Sequence, residues 1–509
     1  MINIYEPCIK DYSKSAIDAI ESGWISNHGK YVTESTNTLS KLLECEYVIL
    51  MANGTCATHC LFLSIQYKYP KINKIYVPNN AYIAAWNSVL MCYDISNLCV
   101  MKMDIDTWNI NTNEEYIKSL DTNSAILIVH NLGNIINVPR LKRLRPDLIF
   151  VEDNCEGFFG KYEGIYSGTS KDTLCSSISF YGNKIITTGE GGAFITNHKD
   201  IYDHIKKVYS QGMSYTRYLH DVHAYNYRMS NVQAAFLYDQ LNDIDSILTI
   251  KKQIFDNYKE LFQPLINDNK IALLKKEDYT ENSHWIYAVR IINNKKSIEE
   301  TNEFFKNLGV DIRPFFYPIN YHGHLSSIEN SDDVSYVLNK EIIMIPSSPN
   351  ITIEEQLKVT DTIYQFILFN QNIKIVKINK ENVKLLDKFI LNINSNCFRY
   401  FNKRTSDCIK NHLFTFLFYD ITNNIYFGYT HIDFYEKNWF GIYIDSNYRY
   451  KKIGNIILNY TLNCCKITNV LDINLSVDVN NEPAIRLYKK NGFMINEIKN
   501  NIIYMKKKL

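Results

Sequence analysis

Five short apolar runs rich in β-branched residues punctuate the first two hundred positions: YVIL at 47, KIYVP at 74, AILIVH at 125, LIFVED at 148 and SSISF at 176. Helix-like stretches separate them, and this alternation restricts the chain to a mainly parallel sheet with helices on both faces. Polar residues follow the runs. Asn80, His130, Asp153 and Ser179 fall at or just past strand ends, where open α/β sheets gather ligands. Residues 229–262 carry the apolar spacing of long helices. A smaller α+β unit extends from HWIYAVRI through RPFFYP, and TIEEQLKVTDTIYQFIL closes it as a helix, with Thr352 and Glu355 at capping-box spacing. After Asn372 the run IKIVKI opens a further strand. A length of 509 residues accommodates the resulting division into domains 1–372 and 373–509, the first with a large part to about residue 240 and a small part after it.

Composition excludes several function classes. Lys and Arg total 55 against 54 for Asp and Glu, so no global field recruits nucleic acid or an anionic membrane. No segment approaches the roughly 18 uninterrupted apolar residues of a membrane helix. Twelve cysteines lie without a repeated CxxC frame or metal-ligand spacing, which predicts reduced thiols and no metal site. The opening MINIYEP lacks a basic region followed by an apolar one. The expectation is a soluble, cytoplasmic protein.

The chemistry centres on SFYGNKIITTGEGG, which places Lys184 in an apolar, glycine-flanked turn. A lysine forms a Schiff base with an aldehyde cofactor only if its amine is unprotonated part of the time, which burial or a nearby cation arranges. The cofactor's pyridine nitrogen must stay protonated for the ring to act as an electron sink, and an ionised carboxylate against it secures that proton. Asp153 is the candidate. NGTCATHCLFL adds a glycine turn and a helix start after a strand, with Gly54 and Thr55 as phosphate ligands. Tyr82, in VPNNAYIAAW, is either a ring-stacking face or a core tyrosine.

Taken in order, GWISNHGKYV, NGT, VPNNAYIA, VEDNCEGFFG, SFYGNKIITTGEGG and YNYRMSNVQAA resemble the DegT-type family of sugar aminotransferases over nearly all of residues 1 to 370. The resemblance implies a fold type I aminotransferase using pyridoxal 5'-phosphate, with Lys184 bonded to the cofactor, Asp153 on the pyridinium and Tyr82 on the ring. It assigns Ser179 and Thr55 to the phosphate and Glu156 to the neighbourhood of the cofactor hydroxyl. Asn226 is expected to reach the phosphate of a neighbouring subunit, making a homodimer with shared sites the minimum unit. Sugar-dehydrating relatives carry histidine at the lysine position, so Lys184 argues for amino transfer. Glutamate is the expected amino donor and a nucleotide-linked keto sugar the acceptor. RPFFYP resembles perosamine-type enzymes acting on 4-keto-6-deoxyhexoses, with Arg313 facing a nucleotide phosphate and Trp24, Ser26 and His28 lining the sugar pocket.

Farther on, WFGIYIDSNYRYKKIGNIIL gives a strand, a basic glycine-containing turn and a helix, and VDVNNEPAIRLYKKNGF follows. Together they resemble the GNAT superfamily of acetyl-CoA-dependent N-acetyltransferases over residues 373 to 509, an α+β domain. This resemblance assigns Arg449 and Gly454 to the pyrophosphate loop, Asn480 to a cofactor contact and Tyr488 to protonation of the departing thiolate. Lys452 departs from the pattern, which has glycine there. The combined expectation is amination of a sugar nucleotide followed by N-acetylation. A 3-keto acceptor, or a C-terminal module that binds coenzyme A or stabilises a dimer without turnover, remains the alternative.

Overall fold

The computed structural model describes residues 1–392, 405–434, 437–449 and 452–509. Seven strands build the first sheet: β1 Tyr47–Met51, β2 Lys74–Pro78, β3 Leu98–Met101, β4 Ser124–Val129, β5 Ile149–Asp153, β6 Ser176–Ser179 and β7 Gly192–Thr196. Their order is β1-β7-β6-β5-β4-β2-β3. Neighbours run parallel except at β7, which is antiparallel to both β1 and β6. Every residue of β4 is buried, as a strand covered on both faces requires. Its core is therefore continuous with both helical layers.

Local sequence sets the flanking helices. Asn53 starts α1 (Gly54–Lys68) by accepting the Cys56 amide on its side chain at 2.9 Å. The long helices expected over 229–262 are α2 (Asn231–Asn242) and α3 (Ile244–Asn267), divided at Asp243. Beyond α3 lies a small antiparallel sheet of β8 Ile271–Ala272, β9 Tyr287–Ile291, β10 Arg313–Pro314 and β11 Ile342–Ile345, ordered β8-β9-β11-β10. The closing helix α4 (Ile353–Phe369) has the expected reciprocal cap: Thr352 accepts the Glu355 amide at 3.1 Å, and Glu355 accepts the Thr352 amide at 2.9 Å.

The last sheet comprises β12 Ile373–Lys377, β13 His412–Asp420, β14 Ile425–Asp433, β15 Trp439–Ile444, β16 Asp472–Asp478, β17 Met494–Lys499 and β18 Ile502–Lys508, in the order β12-β13-β14-β15-β16-β18-β17. β15 and β16 meet in parallel at Trp439 and Asn474, whereas the other pairings are antiparallel. Helices α5 (Ile453–Ile467) and α6 (Glu482–Lys490) cover it, and α5 packs on α4. One apolar core runs through both: Val289, Phe305, Ile363 and Phe366 of the small sheet and its helices share it with Ile457, Leu475 and Met505. No helix among the described residues is long and apolar enough to cross a membrane.

Because that core is shared, truncating the fully buried Ile457 to alanine should cost about 2–5 kcal/mol. Hydrogen exchange is expected to show β9 and β13 losing protection together; loss confined to β13 would refute the coupling.

Candidate active site

β5 ends on two carboxylates whose side chains leave opposite faces of the strand. Glu152 is fully buried and accepts hydrogen bonds from His130 Nε2 at 2.7 Å, Tyr162 Oη at 3.0 Å, the Gly168 amide at 2.9 Å and Thr173 Oγ1. His130 Nδ1 accepts the Ile136 amide at 3.1 Å, which puts the ring proton on Nε2. His130 is thus a satisfied strand-end residue. Asp153, also buried, accepts the Cys155 amide at 3.1 Å.

Lys184 belongs to the turn after β6. Its amide donates to the Tyr181 carbonyl at 2.9 Å, its carbonyl accepts Tyr5 Oη at 2.6 Å, and its Nζ stands 3.9 Å from the centre of the Trp285 ring. Trp285 is fixed in turn by donating Nε1–H to the Asn183 carbonyl at 2.7 Å. Sequence reasoning missed Tyr5 and Trp285, since neither belongs to a local pattern with Lys184. Glu156 accepts the Leu132 amide at 2.8 Å; burial pushes its carboxyl up to about 7, with the Lys184 cation pulling the other way. Burial also lifts the Cys155 thiol well above its usual range, Asp153 adding to the effect and Lys184 opposing it. The four side chains share one electrostatic neighbourhood.

Bare backbone lies beside them. A Cβ on Gly54 would stand 2.7 Å from Ser179 Cβ, and one on Gly192 would stand 2.6 Å from the Asn53 carbonyl carbon and oxygen. Ser179 Oγ accepts the Tyr181 amide at 3.3 Å, and Thr55 is half-buried in the first turn of α1. This cradle, with helix amides and two hydroxyls, suits a phosphate. Tyr82 is 61 % exposed and touches Phe316 edge-on at 6.4 Å, so it is not a core tyrosine. The donor set fits pyridoxal phosphate: an amine, a carboxylate, an accessible aromatic face and an anion cradle.

Other candidates lie apart from this cluster. Asn226 is exposed and bridges Ser210 in a segment that also exposes Met213, Tyr215 and Tyr218. Trp24 and His28 line a separate pocket of about 260 Å³ with Tyr31 and Asn231, and the Ser26 carbonyl accepts the Asn231 amide at 2.7 Å. Arg313 pairs with Asp311 at the edge of the small sheet. No described contact joins these residues, or Tyr82, to Lys184.

In the last sheet, β15 and β16 pair at a single position and separate beyond it. Lys452, at the start of α5, has φ +61° and ψ −1°, the left-handed conformation that favours glycine. A Cβ on Gly454 would stand 3.1 Å from Ile444 Cδ1. Arg449 is exposed and donates Nε–H to the Ile444 carbonyl at 2.9 Å; Asn480 is exposed and donates its amide to Asp478 at 2.9 Å. Tyr488 is buried against Phe493 and Phe440, at 5.8 Å and 6.4 Å between ring centres, and burial raises its phenol.

A model of the DegT/DnrJ/EryC1/StrS aminotransferase family matches residues 8–364, and a model of the acetyltransferase (GNAT) domain matches residues 412–495. The chain is 30 % identical over 372 residues to a GDP-perosamine synthase of Escherichia coli O157:H7, covering 72 % of this chain and 98 % of that protein. It is 24 % identical over 381 residues to a UDP-4-amino-4,6-dideoxy-N-acetyl-beta-L-altrosamine transaminase of Campylobacter jejuni, covering 72 % and 96 %. Among solved structures, a sugar aminotransferase of Streptococcus pneumoniae in its PMP form superposes with a TM-score of 0.64 at 19 % identity, covering 72 % and 98 %. The fold matches over that share.

Two outcomes follow from the geometry. Gly54→Ala should push Ser179 aside and weaken cofactor binding at least ~10-fold, about 1.4 kcal/mol, read by absorbance titration; unchanged affinity would remove Gly54 from the cradle. In the cofactor-free protein, Glu156 keeps its proton to about 7 when folded but only to its ordinary 4.5 when unfolded. Stability should therefore fall by roughly 3 kcal/mol as pH rises through that window. Glu156→Gln should abolish this slope in urea denaturation at pH 5 and pH 8.

Proposed function

Because the chain belongs to the DegT/DnrJ/EryC1/StrS aminotransferase family over residues 8–364 and carries a GNAT acetyltransferase domain behind it, we propose that it aminates a nucleotide-linked 4-keto-6-deoxyhexose and then acetylates the new amine. The carrying observation is the grouping of Lys184, Asp153 and Glu156 beside the Gly54–Ser179 cradle. The perosamine-synthase relatives support the sugar class. We place the domain boundary between Asn372 and Ile373, where β12 enters the last sheet by pairing with β13.

Pyridoxal phosphate, when bound, supplies the electron sink that makes a proton on the amino-bearing carbon removable. Lys184 Nζ then accepts that proton and returns it on the other side of the transfer, as a general base and acid. Trp285 and Tyr5 hold the lysine turn while its amine moves. Asp153 would keep the pyridine nitrogen protonated, and Glu156 is assigned to the cofactor hydroxyl. Ser179, Thr55 and the first amides of α1 would hold the phosphate, with Gly54 leaving room for it. Tyr82 would supply a stacking face. Glutamate is the proposed donor, and Asn226, on its exposed segment, is assigned to the partner site of a cytoplasmic homodimer. Trp24, Ser26, His28 and Arg313 are assigned to the sugar nucleotide.

For the second step, the α5 start with Arg449 and Gly454 is assigned to the acetyl-CoA pyrophosphate, and Asn480 to a further contact. Tyr488 is assigned to protonation of the thiolate that leaves as the amine attacks the acetyl carbon; burial keeps its phenol protonated but also makes it a weaker acid. The same burial, together with Lys452 at a glycine-type φ, supports the second reading of a module that binds coenzyme A without turnover.

Wild-type protein given glutamate, acetyl-CoA and a panel of 4-keto and 3-keto sugar nucleotides should yield a product heavier by one acetyl group than the amino sugar. Lys184→Ala should abolish amination, by at least ~10⁴-fold, yet still acetylate an amino sugar supplied ready-made. Borohydride treatment and peptide mapping should tag Lys184 alone. An untagged Lys184 would overturn the first step, and an amino product without acetyl gain would leave the module reading.

A further inference from the structure

The loop between α3 and β8 belongs to the aminotransferase half, yet its side chains end on the acetyltransferase half. Asp268 is buried, and its carboxylate accepts from Asn455 Nδ2 and pairs with Lys490 Nζ at 2.6 Å. Asn455 is the third residue of α5, one position after Gly454. Lys490 closes α6, two positions after Tyr488. Asp268 thus joins the two helices that carry the acetyl-CoA motifs, from outside the domain that owns them. The network continues inside: Asn491 Nδ2 donates to Asn455 Oδ1 at 2.6 Å, and Asn459 Nδ2 donates to Asn491 Oδ1 at 2.8 Å.

The loop is built to hold still. The Lys270 amide donates to the Leu265 carbonyl at 2.9 Å, and the Ile292 amide donates to the Lys270 carbonyl at 3.0 Å, which ties the loop to both α3 and the small sheet. Lys270 also stands close enough to Lys452 that the two cations oppose one another, adding to the effect of burial in lowering the Lys270 amine. Carboxylate and amine therefore both meet the first turn of α5.

We infer that Asp268 is a positioning residue of the acetyl-CoA site, so that the aminotransferase half completes the second active site. This rests on the acetyltransferase reading above. A carboxylate near a helix N-terminus would repel a bound phosphate if left bare. Lys490 neutralises it, and its remaining role is to fix the Asn455 side chain and hold α5 against α6. The cleft between β15 and β16 then keeps a constant relation to Tyr488 with or without ligand. Ordering that the ligand must otherwise impose is supplied in advance.

Calorimetric titration of the full-length chain with acetyl-CoA tests this, at a temperature well below each variant's unfolding midpoint. Asp268→Ala should weaken binding at least ~10-fold. Asp268→Asn, which keeps an oxygen for Asn455, should recover most of that loss, whereas Lys490→Met, which strips the neutralising charge, should weaken binding more than Asp268→Asn. Pyridoxal phosphate loading, followed by its absorbance, should be unchanged in all three. A wild-type chain that does not bind acetyl-CoA would sink the acetyltransferase reading itself. Wild-type binding matched within twofold by Asp268→Ala, or an Asp268→Asn variant as weak as Asp268→Ala, would overturn the positioning role alone.

Discussion

The carboxyl end of the sheet's central strand, on which the first site stands, is held by one buried carboxylate. Glu152 takes four donors, from the strand-end His130, the turn amide of Gly168, and the hydroxyls of Tyr162 and Thr173. A charge buried without such partners costs several kcal/mol, so the loops that bring these donors cannot drift without a large penalty. Asp153 and Glu156 inherit that rigidity, being one and four residues on. Glu156 adds its own tie to the Leu132 amide, on the loop that His130 begins. The two carboxylates assigned to the cofactor are therefore placed by a third whose hydrogen bonds all go to the protein itself.

Much of this was legible in the residues. Short continuous apolar runs rich in β-branched residues and their polar ends mark buried strands directly, so the sheet and the positions of Asp153 and Ser179 could be read locally. The same holds for the Thr352 cap. Trp285 meets the Lys184 turn from 102 residues beyond Asn183, and Tyr5 from 179 residues before Lys184. Nothing in either segment's periodicity reports the other, because the contact exists only after the small sheet has folded against the large one. Asp268 and Asn455, 187 residues apart, are illegible for the same reason. Asp243 shows a subtler limit: apolar spacing announces long helices here, and only backbone geometry reveals where the first ends and the second begins.

The two halves are joined by more than chain continuity. Interfaces between domains of one chain are commonly polar enough to permit relative motion, but here α4 and α5 pack within one apolar core. Cys464 adds a contact at 3.5 Å to the buried Asp361 of α4. Tethering alone raises the local concentration of one site's product near the other. A shared core goes further, because it fixes the two halves relative to one another.

Lys452 shows how a departure from a motif is tolerated. The turn into α5 needs a left-handed residue, and glycine adopts it without cost, whereas a lysine there costs about 1–2 kcal/mol. The turn is nevertheless retained, with the Asn455 amide donating back to the Lys452 carbonyl at 3.2 Å and the Asn455 side chain held by Asp268. Strain of this size persists only where the surroundings over-determine the backbone. One of the contacts that do so, from Asp268 to the Asn455 side chain, comes from the aminotransferase half. The Lys452 cation stands close enough to Lys270 that the two oppose one another, so this turn carries charge from both halves. The substitution exchanges backbone ease for a positive charge at the turn into α5.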